Sequence, residues 1–365
     1  GKIIGIKHLT NLTFSLLTLV GLFALSKKIF NKEIAYLATF FCFVNPFFFG
    51  HMSINPKDTI SCFALVWFTY YAYAYCINFE EKRLRFLVLA SIFMGIGVGT
   101  RLPFFAVPIP IFFSVLIFIF LKNKGKFLEN KIPNKIFLDF SIFILITFFI
   151  LISAWPYVHT SPEILIKAFN SYVLYPHGPV LEIINGNFYE TANTPRTYFF
   201  SFFIFRMPIF ILIALFSLIF FLKRDNIFFS SKFKNFKYKI IIIFSIFFFP
   251  LLVHLIFQVK IYNGIRLFLF IIPFLSILIA ICVYYILENF RKSILIKFFL
   301  SFIVIFFSLF LQRFIYLTPY HYDYSNFLNI KFSSTQKFYI HDYWATSYKE
   351  LMKLINSNQN IKNIK

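Results

Sequence analysis

Long apolar blocks cut by short basic segments constrain this chain more than any other feature of it. A helix needs about 20 apolar residues to cross the hydrocarbon core of a bilayer. Inside lipid the backbone must satisfy its own hydrogen bonds, so spanning segments are helices or strands of a closed barrel. These blocks are longer than barrel strands, so the pattern predicts an all-α, polytopic transmembrane bundle. Ten spans are expected, over residues 12–26, 34–50, 60–77, 86–100, 104–121, 136–155, 208–222, 240–257, 267–287 and 294–312. Only Arg101-Leu102-Pro103 divides the fourth from the fifth. A proline cannot continue the helical ladder and an arginine in lipid is costly, so a break there is physically reasonable. At 59% hydrophobic residues the chain stands above the 45–50% or so of soluble domains.

The net charge of +22 raises the question of a nucleic-acid partner. The basic residues are scattered between apolar blocks and form no basic face, so none is expected. They do order the topology. The loops near 27–33, 78–85, 122–135, 223–239 and 288–297 hold 20 Lys and Arg, and the alternate loops up to residue 266 hold 9. The positive-inside rule makes the first set cytoplasmic and puts both ends of the chain outside. The expected organisation is a bundle over 1–315 with a large outer loop at 156–207, then an outer tail over 316–365 with a short strand and a helix. Most histidines and many carboxylates then fall on the outer face, where chemistry is expected.

The four cysteines, Cys42, Cys62, Cys76 and Cys282, sit in apolar blocks without CxxC spacing, which reads as packing rather than disulfides or zinc. No metal site and no cofactor are expected. The chain opens on Gly1 with a span almost at once, and reads as a fragment lacking its N-terminal part.

Three outer segments carry candidate site residues. The first, Asn45-Pro46-Phe47-Phe48-Phe49-Gly50-His51-Met52-Ser53-Ile54-Asn55-Pro56-Lys57-Asp58-Thr59, places an adjacent cation and acid after a proline. Asp58 either caps the following helix or belongs to a rigid rim that holds Lys57 against an anion. The second, Met94-Gly95-Ile96-Gly97-Val98-Gly99-Thr100-Arg101, is not a dinucleotide fingerprint, since no strand precedes it. Its glycines read as close helix packing. Arg101 suits either bidentate phosphate binding or contact with headgroups. The third is the long loop, with Tyr198–Phe205 expected as a helix in the membrane interface, Arg206 after it, and the later turn Asn263-Gly264-Ile265-Arg266. In the tail, a strand leading to Asp342 and Trp344 is followed by an amphipathic helix expected to turn Tyr348, Leu351, Leu354 and Ile355 inward.

The series NPFFFGHMSINPKD, GIGVGTR, TPRTYFFSFFIFRMPI, YNGIR and HDYWATSYKE resembles, in order, bacterial relatives of glycosyltransferase family 39. That family includes the protein O-mannosyltransferases and belongs to the GT-C superfamily. The resemblance implies a membrane bundle with catalytic loops outside, facing the periplasm or exterior across a bacterial inner membrane. It also implies transfer of a sugar from a polyprenyl-phosphate donor to a hydroxyl on a protein, lipid or glycan. The usual acidic base of the superfamily lies in the first outer loop, which would precede Gly1. Asp58 is the best acid downstream of that point, with Lys57, Arg101, Arg206, Arg266, His51, Asp342 and Trp344 as candidate substrate-binding residues. Where family members often carry His after the arginine of the YNG-type turn, this chain has Leu267.

The chemistry points the same way. A lipid-phosphate leaving group gains charge in the transition state, which arginines at the rim stabilise, and a carboxylate must take the acceptor's proton. The competing readings are a surface-polysaccharide polymerase or ligase, which would use a diphosphate-linked donor, and a transporter of lipid-linked saccharide. Transporters usually place ionisable residues at the midplane and show inverted repeats, and neither is evident here.

Overall fold

The computed structural model describes residues 2–80, 82–122, 132–174, 181–184, 186–257, 261, 263–291, 293–328, 342 and 345–357. It is the expected all-α bundle. The chain runs through α1 (Lys2–Ile29), α2 (Lys32–Phe43), α3 (Pro46–His51), α4 (Asp58–Ile77), α5 (Arg83–Thr100), α6 (Ile109–Lys122) and α7 (Ile132–Ala154). Two helices of the long loop come next, α8 (Pro156–Thr160) and α9 (Glu163–Leu174), then an antiparallel hairpin of β1 (Leu181–Ile184) and β2 (Asn187–Glu190). The remainder is α10 (Tyr198–Arg206), α11 (Ile209–Arg224), α12 (Asn226–Lys232), α13 (Phe236–Phe257), α14 (Ile272–Asn289), α15 (Ile294–Tyr316) and, in the tail, α16 (Tyr348–Ser357).

Among the described residues, eight helical segments are long and apolar enough to cross a membrane, or nine if α10 and α11 count as one bent span. The apolar pattern predicts ten, and the two departures have local causes. The block at 34–50 is broken: Asn45 stops α2, and its side-chain oxygen accepts from the backbone N–H groups of Phe47 and Phe48 to start α3 at Pro46. The 12 residues of α2 are too few to span alone, and α3 completes the return: the chain after it meets the first half of α1, with Ser15 donating to the Met52 carbonyl at 3.0 Å. The block at 208–222 becomes the 16-residue α11, bent by 111° from α10 at Met207-Pro208. Pro208 lacks the N–H that a continuous helix would need there.

The centre of the bundle is α14. Taken with the 3-10 turn Arg266–Ile271 before it, this span is 94% buried, while the spans of α7 and α15 are each 17% buried. A helix apolar on every side has no solvent face, so it is covered by neighbours or by lipid. Here α2, α11, α13 and α15 cover α14, and α7 and α15 turn exposed Phe148, Phe149, Ile305 and Leu309 outward toward the membrane.

Two of the three glycines of α5, Gly95 and Gly97, do what close packing asks. A side chain on Gly95 would stand 2.6 Å from Ile150 and 3.0 Å from the Thr147 carbonyl of α7, and one on Gly97 would overlap Phe104. All four cysteines are free and buried, as expected.

Two expectations for the periphery change. α10 forms where a helix in the interface was expected, but Tyr198, Phe199, Phe202, Phe203 and Arg206 are buried against the bundle. α16 forms too, yet it buries no residue: Leu351 is 50% and Leu354 66% exposed, so the face expected to turn inward meets no packed element among the described residues. The short strand expected before Asp342 lies outside the described residues.

Candidate functional site

One end of the bundle gathers the first turn of α4, the last residue after α5, the turn before α14 and the short helix α3. Asp58 opens α4, where a negative charge suits the helix dipole. It does not cap the helix with its own side chain. Asn55 does the local work: its Oδ1 accepts from the backbone N–H groups of Lys57 at 3.3 Å and Asp58 at 3.1 Å. The Asn55 amide also donates to Asp58 Oδ2 at 2.7 Å. The capping reading of Asp58 thus gives way, because Asn55 already occupies those donors and frees the carboxylate to face the bundle.

That carboxylate is 3% exposed and takes two arginines from distant parts of the chain. Arg101, extended just past the end of α5, brings Nη2 to within 2.7 Å of Oδ1. Arg266, at the head of the 3-10 turn into α14, brings Nε to 3.5 Å from Oδ2. Two guanidiniums on one buried carboxylate leave a positive charge in a site that is largely out of water. Such a charge is expensive unless an anion or another carboxylate answers it.

Glu182 gives part of that answer, and sequence reasoning did not single it out. It is fully buried on β1. Its Oε1 accepts from the backbone N–H of Asn263 at 2.6 Å, and its Oε2 accepts from the Tyr198 hydroxyl at 3.0 Å. The same hydroxyl accepts from the Gly264 N–H at 2.8 Å. Burial pushes the Glu182 carboxyl up, against the pull of these hydrogen bonds and of the Arg266 charge. Glu182 and Tyr198 together fasten Asn263 and Gly264, both at positive φ (57° and 67°), in the turn that delivers Arg266. The available signal was the glycine of the Asn185-Gly186-Asn187 stretch, a mark of a tight hairpin that brings Glu182 back toward the bundle.

His51 closes α3 and is fully buried, with Nδ1 2.7 Å from the Phe47 carbonyl. Burial, and after it the nearby Arg266 charge, hold its imidazole down to about 4, so it is neutral at pH 7. Its ring stands edge-on to Tyr322, 5.9 Å between centroids. Tyr322 in turn donates to Asp342, whose carboxylate also accepts from the backbone N–H groups of Thr346 at 3.0 Å and Ser347 at 3.2 Å. Burial alone would raise the Asp342 carboxyl, but the Ser347 hydroxyl, which also donates to it, and these donors outweigh burial and hold it below the usual range. Asp342 therefore joins the tail to the end of the bundle that carries His51.

The other candidates separate. Lys57 precedes Asp58 directly, but its side chain is exposed at the rim and outside the Asp58 ion pairs. Arg206 is buried and bound elsewhere, to Asp323 Oδ1 at 3.0 Å and the carbonyls of Asp323 and Tyr324 at 2.9 and 3.4 Å. Trp344 lies outside the described residues. A concavity of about 530 Å³ along α7, lined by Leu145, Phe148, Phe149, Ile152, Ser153 and His159, is an apolar furrow that none of these candidates lines. No group of three His, Cys, Asp or Glu residues is placed to hold a metal ion among the described residues.

A polytopic helical membrane protein with a buried carboxylate clamped between two arginines at one end is the class this geometry defines. Residues 8–155 match the model of the dolichyl-phosphate-mannose-protein mannosyltransferase family. That stretch contains Asp58 and Arg101, and over it the resemblance to GT-C glycosyltransferases is borne out. Among solved structures, the chain is similar to the apo crystal structure of ArnT from Cupriavidus metallidurans, at 13% identity and a TM-score of 0.49. The likeness covers 78% of this chain and 45% of that one, so this chain spans about half the length of that structure. No curated protein matches.

Proposed function

We propose that this chain belongs to a membrane glycosyltransferase that moves a sugar from a polyprenyl-phosphate donor to an acceptor hydroxyl. We place the reaction on the periplasmic or extracellular side of a bacterial inner membrane, with a protein, lipid or glycan as acceptor. The observation that carries the reading is the paired approach of Arg101 and Arg266 to Asp58. Family similarity over residues 8–155 supports it.

In this reading the donor phosphate docks against the two guanidiniums. As the sugar–phosphate bond breaks, the bond's electrons go to the leaving phosphate, and fixed arginines stabilise that growing charge without reorganising. Asp58 positions the arginines, because both its oxygens are already engaged. The acceptor's proton goes to a carboxylate other than Asp58, whose oxygens already face Asn55, Arg101 and Arg266. Neutral His51 and exposed Lys57 flank the phosphate position, and Asp342 holds the tail over it.

The test is transfer of radiolabelled sugar by the full-length protein in proteoliposomes, from a polyprenyl-monophosphate donor and, in parallel, a polyprenyl-diphosphate donor. Transfer from the monophosphate donor, lost in Arg101→Ala and Arg266→Ala, is expected. Use of the diphosphate donor alone would favour a polymerase or ligase. Movement of intact lipid-linked saccharide without transfer would favour a transporter.

A further inference from the structure

Helix α16 has the clearest division of faces of any helix here, and it is fastened beside the end of a span. At 100° per residue, Tyr348, Leu351, Met352, Leu354 and Ile355 fall on one side, and Lys349, Glu350, Lys353, Asn356 and Ser357 on the other. Tyr348, Leu351, Met352 and Leu354 are 60, 50, 39 and 66% exposed, and none of the ten residues is buried. An apolar face this open on a ten-residue helix is unstable in water without a partner.

Its position is fixed by contacts that precede and enter its first turn. The Asp342 carboxylate binds Tyr322 on one side and the backbone of Thr346 and Ser347 on the other. Burial, and after it the nearby Glu350 carboxylate, push the Tyr320 hydroxyl up, so the first turn of α16 stands beside Tyr320. Tyr320 and Tyr322 come shortly after the end of α15 at Tyr316, and Tyr322 packs its backbone on Gly50 of α3. So the start of α16 sits at the level where a membrane-spanning helix ends. There Ile315 and Tyr316 are themselves 66 and 83% exposed.

We propose that α16 lies in the membrane interface, with the face of Tyr348, Leu351, Met352, Leu354 and Ile355 in the acyl boundary and Lys349 and Lys353 toward anionic headgroups. The occupant is lipid because the face stands at bilayer level beside lipid-facing Ile315 and Tyr316. Its polar side carries two lysines against one glutamate, the charge balance that attracts an acidic leaflet. In consequence the Asp342 clasp, and with it Tyr322 over His51, is held from the membrane side. This inference rests on the membrane fold and is independent of the proposed reaction.

Site-directed spin labelling of the full chain in nanodiscs of phosphatidylcholine and phosphatidylglycerol tests it. The four native cysteines are buried and leave single introduced cysteines as the reactive sites. Labels at Leu351→Cys and Leu354→Cys are expected to match one at Leu309→Cys on α15, with high collision rates for oxygen and low ones for a water-soluble nickel chelate. Labels at Lys353→Cys and Asn356→Cys are expected to show the opposite order, as is a control label at exposed Lys167→Cys. High chelate access at both Leu351 and Leu354 would overturn the proposal, placing the helix in water. Shielding of both positions from oxygen and chelate alike, with spin–spin broadening, would overturn it in favour of a second copy of the chain. Asp342→Asn, which loosens the clasp but leaves the helix sequence intact, is expected to keep the same order of collision rates at these positions.

Discussion

Arg101 reaches Asp58 Oδ1 at 2.7 Å through Nη2, while its buried Nε meets no hydrogen-bond partner among the described residues. An arginine that spends one edge on a carboxylate and keeps another donor uncommitted is prepared for a second anion, since its fork binds phosphate bidentately. Arg101→Lys keeps the charge and loses that fork. In the transfer assay kcat is expected to fall by one to two orders of magnitude or so, with a smaller change in KM for the acceptor. Arg266→Lys is expected to behave alike. An unchanged kcat in both variants would remove the arginines from the chemistry.

Asp58 and Arg101 were legible in the sequence because each stands at a span boundary, where a charged residue has few places to go. Their meeting with Arg266 was legible too, because like charges at one rim repel unless an anion lies between them, although Lys57 stays outside that cluster. Glu182 escaped notice because its meaning comes from a hairpin that folds the long loop back onto the turn at Asn263 and Gly264. Arg206 shows the converse. Its place before Pro208 looked like a rim position, but the 111° bend between α10 and α11 turns it into the protein, onto Asp323. The span count failed at Asn45-Pro46 because hydropathy reads apolar length, and a side-chain cap breaks a helix without changing it.

The Tyr198 hydroxyl joins Glu182 Oε2 to the Gly264 N–H, so Tyr198→Phe strands a buried carboxylate oxygen and a buried N–H together. Leaving such groups unsatisfied costs about 1–3 kcal/mol. A lowered thermal midpoint is expected. The kcat should fall with it, because the turn that delivers Arg266 loses a fastening. Tyr198→Phe with normal stability would show that the turn holds itself.

His51 predicts an acid-sensitive window. Folded, its imidazole is held down to about 4 by burial and by the Arg266 charge, against an ordinary value of 6.5. Between those values the unfolded chain takes up a proton that the folded chain refuses, so stability falls as pH drops from about 6.5 toward 4 and levels off below. The full effect is on the order of 3 kcal/mol, at about 1.4 kcal/mol per pH unit. Thermal midpoints from pH 7 to 5, above most carboxylate titration, are expected to decline less steeply in His51→Gln than in the native protein. Parallel declines would mean that His51 is protonated in the folded state.

The α5–α7 contact offers an internal control for packing. A methyl group at Gly95 would stand 2.6 Å from Ile150 and 3.0 Å from the Thr147 carbonyl, whereas one at Gly99 would meet Ala154 and Leu151 at 3.8 and 3.9 Å. Overpacking of this kind typically costs about 1–3 kcal/mol, and ordinary contact costs little. Gly95→Ala should lower the thermal midpoint in detergent and Gly99→Ala should not. Equal effects would mean that α5 and α7 adjust freely.

Sidedness is the remaining expectation to be measured. The basic loops at 27–33, 78–85, 122–135, 223–239 and 288–297 hold 20 Lys and Arg against 9 in the alternate loops up to residue 266. Short basic loops are retained in the cytoplasm. Ser230 on α12 belongs to the first set, and Lys167 on α9 lies in the long loop that also supplies Glu182. Both are exposed, and the native cysteines are buried, so Ser230→Cys and Lys167→Cys report cleanly. With an impermeant thiol reagent on intact cells, Lys167→Cys is expected to label and Ser230→Cys to label only after lysis. The reverse pattern would turn the bundle over. It would put the Asp58, Arg101 and Arg266 cluster in the cytoplasm, where a lipid-linked donor used outside has no place, so the proposed reaction would fall with the topology.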